Sequence, residues 1–131
     1  MKTLMAVALA GITGIATAAP TVGRLEAIRL DDSTGYRCQL EGGKGNTILV
    51  GLNTDQRLLS VELDGNLAYP KGATMKINGA YTDVRVSDFG KAPQKSYELA
   101  ARGFDFSLTF TEGKAMPVLT LVWSGREFLC Q

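Results

Sequence analysis

Between Phe104 and Phe110 the residues at every second position are Phe104, Phe106, Leu108 and Phe110, while Asp105, Ser107 and Thr109 alternate with them. A period of two sends neighbouring side chains to opposite faces of an extended chain, so this stretch reads as a strand with one face buried. The element expected here runs from Tyr97 to Phe110, and its aromatic side chains are expected in a core rather than around a ligand. The same alternation places Leu59, Val61 and Leu63 together within residues 56–63, and Tyr36, Cys38 and Leu40 together within 36–40. Residues 47–52 and 118–123 are short apolar runs, 127–130 is a brief terminal segment, and 23–30 fits a strand less regularly. In 74–86, Met75, Ile77 and Gly79 share one side, and Val84 and Val86 continue beyond a bend expected near Gly79.

Turn-forming clusters separate these runs. They are Asp31 to Gly35, Glu41 to Asn46, Asn53-Thr54-Asp55, Asp64-Gly65-Asn66, Tyr69 to Gly72, Glu112-Gly113-Lys114 and Ser124-Gly125. No stretch carries a helical period for more than two turns. The pattern predicts an all-β domain, a small barrel or sandwich of about eight short antiparallel strands.

The first residues have a different logic. Lys2 precedes an apolar run from Leu4 to Ile15, and Ala16 and Ala18 complete a small-residue cleavage pattern. This is the layout of a secretory signal, which assigns residues 1–18 to the signal and 19–131 to a single β domain. The run is shorter and poorer in large apolar residues than the roughly 18 to 20 that a spanning helix needs. The mature chain is therefore expected to be secreted, extracellular or in a bacterial periplasm, without membrane insertion.

Both cysteines, Cys38 and Cys130, fall in the exported part. An even count in an oxidising compartment predicts a disulfide, and two cysteines allow one intramolecular pairing, which ties an early strand to the last. Without a Cys-x-x-Cys spacing, a redox role has no support. Removing Lys2 leaves thirteen basic residues against thirteen acidic ones. Nucleic acid is not an expected partner, because its phosphates call for a basic excess.

The sequence contains no histidine. That removes the usual base of a nucleophilic triad and most transition-metal ligand sets, so no catalytic residue, cofactor or metal site is assigned. The glycines around Lys44 do not make a phosphate loop, since the G-x-x-x-x-G-K-[ST] order and a following helix are both missing. Asp31, Asp32, Asp83, Asp88 and Asp105 are the acids from which a carboxylate-dependent hydrolase would draw, given two of them facing one cleft. Asp31 and Asp32 lack the regular spacing of a calcium loop.

Tyr36 to Cys38, Trp123 to Gly125 and the terminal Cys130-Gln131 resemble the small bacterial periplasmic inhibitors of C-type lysozymes. The resemblance implies a small β-barrel that inserts a loop into an enzyme cleft. It covers the ends of the domain only, and the Ser-Gly-x-x-Tyr signature of that inserted loop does not occur in this chain.

The function expected is therefore binding of another protein, in the manner of an inhibitor, immunity protein or effector, rather than catalysis. Residues 88–96 form the longest polar loop containing glycine and proline, so Asp88, Phe89, Lys91, Gln94 and Lys95 are the candidate binding residues, with 41–46 as a second loop. The alternatives are a carrier for a lipid or small apolar ligand inside the barrel, and the hydrolase above.

Overall fold

Arg102-Gly103 and Ser124-Gly125 are two-residue turns in which both backbones take positive φ, 56° and 72° in the first and 51° and 74° in the second. Turns of that hand match the twist of the strands they join and close tight hairpins. A computed structural model describes residues 21–31, 33–40, 47–64 and 74–131. The signal assignment, the 41–46 loop and the turns within 65–73 lie outside the described residues.

Ten strands follow in order: β1 (Thr21–Arg29), β2 (Thr34–Leu40), β3 (Thr47–Asn53), β4 (Leu58–Leu63), β5 (Met75–Ala80), β6 (Thr82–Val86), β7 (Gln94–Ala101), β8 (Phe104–Thr111), β9 (Val118–Trp123) and β10 (Arg126–Cys130). They form one sheet in the order β5-β4-β3-β2-β1-β10-β9-β8-β7-β6. One segment expected as a single strand is divided, and the bend expected near Gly79 falls two residues later. The Arg102-Gly103 turn splits 97–110 into β7 and β8, and Tyr81 splits 75–86 into β5 and β6. The buried positions shift from odd to even across Arg102-Gly103, with Tyr97 and Leu99 before it and Phe104, Phe106 and Leu108 after it, and the apolar inward series stops at Tyr81.

The break at Tyr81 nearly closes the sheet into a barrel. β5 and β6 are the two edges of the sheet, yet they are consecutive pieces of one bent strand, the first paired with β4 and the second with β7. At the bend the Tyr81 amide donates to the Arg57 carbonyl at 3.3 Å. Gly79 admits close packing there, since a Cβ on it would stand 2.6 Å from Leu99 Cδ1. Closure also covers edges that would otherwise template pairing with other chains.

The pairing is antiparallel throughout except between β1 and β10, which run parallel with Gly23 opposite Cys130. Backbone bonds between Leu25 and Gln131 and between Gln131 and Gly23, each 3.2 Å, extend this contact. Cys38 on β2 and Cys130 on β10 therefore flank β1, and their disulfide crosses over it. Both cysteines are fully buried.

The inner face is filled from all sides. Ile48, Leu59, Leu63, Phe104, Leu108, Leu119, Leu121 and Phe128 are wholly buried, and no polar or charged residue among those described is buried with them. Burying a side chain of this size contributes about 1.5 to 3 kcal/mol, so the interior is the main source of stability. On the outer face the exposed Arg37–Glu26 ion pair contributes little by comparison.

Candidate functional site

Pairing between β6 and β7 ends at Val86 opposite Gln94, which leaves residues 87–93 as the connecting loop. The loop is shorter than the 88–96 expected. Asp88, Phe89 and Lys91 belong to it, whereas Gln94 and Lys95 lie in β7 because they pair with Thr111 and Phe110 of β8. Inside the loop the Lys91 amide donates to the Asp88 carbonyl at 3.0 Å, and Gly90 supplies the positive φ of 79° that this turn requires. The turn lifts Phe89 to the tip, where its side chain is fully exposed.

A second turn lies beside it. Glu112 donates its amide to the Pro93 carbonyl at 2.9 Å, and Lys114 donates to Thr111 at 3.0 Å, with Gly113 at positive φ. Both connections stand at the same end of the barrel, and three of the exposed large apolar residues, Val86, Phe89 and Met116, belong to this end. A cleft of about 430 Å³ opens between them, with Arg85, Val86, Lys95, Phe110 and Glu112 among its walls.

Below the cleft the inner face changes character. Along the bent strand the inward positions are Met75, Ile77, Gly79 and Tyr81, then Asp83 and Arg85. Asp83 contacts Arg57 at 3.3 Å and Lys95 at 4.0 Å. Its buried Oδ1 has no hydrogen-bond partner among the described residues. Arg57 lies over the Tyr81 ring at 4.9 Å and Lys95 over the Tyr97 ring at 4.8 Å, and those two rings meet edge to face at 4.9 Å. Phe110 joins Tyr97 to Tyr36 through edge contacts of 5.8 and 6.2 Å. Burial pushes the Tyr36 phenol above its ordinary value of 10.0, and the neighbouring Tyr97 phenol adds to the shift.

Sequence reasoning found the loop but missed the row beneath it. The available signal is the change along 75–85, where inward positions turn from apolar to charged after Tyr81. Of the acids set aside for a hydrolase, Asp105 lines an outer cleft of about 370 Å³, together with Glu98, which is not among them. Asp105 pairs with Ala100 and Glu98 with Ser107, so the two acids are diagonal neighbours. Both are exposed on the outer face of the sheet. Asp31 is exposed at the β1–β2 connection, Asp88 is exposed in the loop, and Asp32 lies outside the described residues. Among the described residues no three acidic or sulfur ligands converge as a metal site would need.

No family model matches the chain, and neither a curated protein nor a solved structure matches it significantly. The likeness to periplasmic lysozyme inhibitors therefore stands on the few terminal residues that suggested it.

Proposed function

We propose that the protein is an exported protein-binding domain, of the inhibitor, immunity or effector type, that presents residues 87–93 and the adjoining 112–117 turn to a partner. The observation that carries this reading is Phe89, a large aromatic side chain held wholly in solvent at the tip of an ordered turn. Leaving a phenylalanine in water forgoes about 1.5 to 3 kcal/mol that burial would contribute, and aromatic anchors of this kind dominate protein interfaces.

The scaffold supports the same reading. Backbone hydrogen bonds close each turn and join the two connections to each other between Glu112 and Pro93, so less ordering entropy is left to lose on binding. The Cys38–Cys130 disulfide suits an oxidising compartment and hence export. Carriage of a lipid inside the barrel has less support, because the inward positions are occupied by the protein's own phenylalanines and leucines.

The test is affinity capture from the extracellular or periplasmic fraction of the source, with oxidised wild-type protein and a Phe89→Ser variant side by side. A protein retained by the wild type and lost from the variant, and then shown to bind directly when purified, is the expected result. Identical eluates from the two columns would overturn the assignment of the loop.

A further inference from the structure

We propose that the cleft at the barrel mouth is a binding site for an organic monocarboxylate borne on an apolar body. The inference is independent of the protein-binding reading and rests on one cross-strand row. Arg85 pairs with Lys95 across β6 and β7, and Lys95 pairs with Phe110 across β7 and β8. Like charges placed directly opposite each other weaken a strand pair. Lys95 has a partial answer in Asp83 at 4.0 Å and in the Tyr97 ring. Asp83 is also engaged by Arg57, and Arg85 makes no ion pair with any described residue.

Arg85 thus brings a guanidinium without an ion-pair partner among the described residues to a cleft of about 430 Å³ that Phe110, Val86 and Pro93 line with apolar surface. A guanidinium presents paired donors that fit a carboxylate, and a volume in this range suits a small ligand with a hydrophobic portion. Glu112 lines the same cleft and selects against ligands of higher negative charge, such as phosphate. The carboxylate arrives either on a free small acid or at the C-terminus of a peptide chain.

The experiment is a series of amide-detected NMR titrations of the oxidised protein. The probes are 3-phenylpropionate, its amide, inorganic phosphate, and an Ala-Ala-Ala-Phe peptide with a free or amidated C-terminus. Saturable shifts centred on Arg85, Lys95 and Phe110 are expected with the carboxylates, and binding at least about tenfold weaker with the amides and phosphate. Arg85→Gln, at an exposed position, should weaken 3-phenylpropionate about tenfold and leave its amide unchanged. Tighter binding of the free-terminus peptide than of 3-phenylpropionate assigns the site to a chain terminus, and the reverse order assigns it to a free acid. Acid and amide binding alike, shifts centred elsewhere, or no saturation would overturn the proposal. Phe89→Ser is expected to leave these titrations unchanged, so a failed partner capture and a failed titration remain separate results.

Discussion

Gly23 and Cys130 are register partners in the parallel β1–β10 pair, and the Cβ that Gly23 lacks would stand 2.7 Å from the Cys130 sulfur. It would stand equally close, 2.7 Å, to the sulfur of Cys38. The disulfide passes over β1 where the strand has no side chain. Gly23→Ala should therefore destabilise the oxidised protein by about 1 to 3 kcal/mol through overpacking. Urea denaturation measures the cost. In a Cys38→Ala/Cys130→Ala background the same substitution should cost clearly less, and an equal cost in both backgrounds would dissociate the glycine from the bridge.

The bridge joins residues 92 apart in sequence. Loop-closure entropy in the unfolded chain gives about 4 to 5 kcal/mol for a loop of this length, comparable to the net stability of a small domain. Reduced protein is expected to unfold at a much lower urea concentration than oxidised protein. Coincident transitions would show that the link does not stabilise the barrel.

Gly79 and Leu99 mark the other seam of the barrel. A Cβ at Gly79 would meet Leu99 Cδ1 at 2.6 Å, so Gly79→Ala should cost about 1 to 3 kcal/mol. Leu99→Ala alone should cost about 2 to 5 kcal/mol by removing a buried side chain. The double variant should be more stable than the sum of the two losses implies, because the new methyl group enters the space that Leu99 leaves. Strict additivity in a double-mutant cycle would contradict the contact.

Tyr36 supplies an alkaline signature. Its folded pKa lies above the unfolded value because burial disfavours the phenolate and the Tyr97 phenol adds to the effect. The folded state then holds its proton longer, so this contribution is full below pH 10.0 and is lost as pH rises through the folded pKa. Stability measured from about pH 9 upward should fall more steeply for wild type than for Tyr36→Phe. Parallel curves would remove Tyr36 as the source.

Phe89 separates function from folding. Its side chain is fully exposed, so Phe89→Ser should change stability by no more than about 0.5 kcal/mol while abolishing partner retention. A large drop in the urea midpoint would mean that the side chain supports the loop instead of serving a partner.

Much of this architecture is legible in local patterns. The alternation at 36–40, 59–63 and 104–110 identifies β2, β4 and β8 together with their buried faces. Ser124-Gly125 and Asn53-Thr54-Asp55 turn as expected, the latter with Asn53 Oδ1 accepting from the Gln56 amide at 3.0 Å. Arg102-Gly103 shifts the buried positions from Tyr97 and Leu99 to Phe104, Phe106 and Leu108, a change of parity that reading 97–110 as one strand passes over. Gly35, expected in a turn, instead lies buried within β2, where a Cβ would meet Leu30 at 2.6 Å. Gln94 and Lys95 escape as strand residues because their polar character resembles a loop, and their pairing with β8 supplies what propensity does not.

The order of residues by itself determines that this chain makes strands, which faces of them are apolar, and that its two cysteines have only each other as intramolecular partners. Those properties depend on neighbours one to four residues away and on chain chemistry. Tertiary structure alone decides that β1 lies parallel to β10, that one strand bent at Tyr81 serves both edges of the sheet, and that Arg85, Lys95 and Phe110 stand in a single row. Each of these joins segments distant in sequence, and their register follows from the closure of the barrel and the packing of its interior.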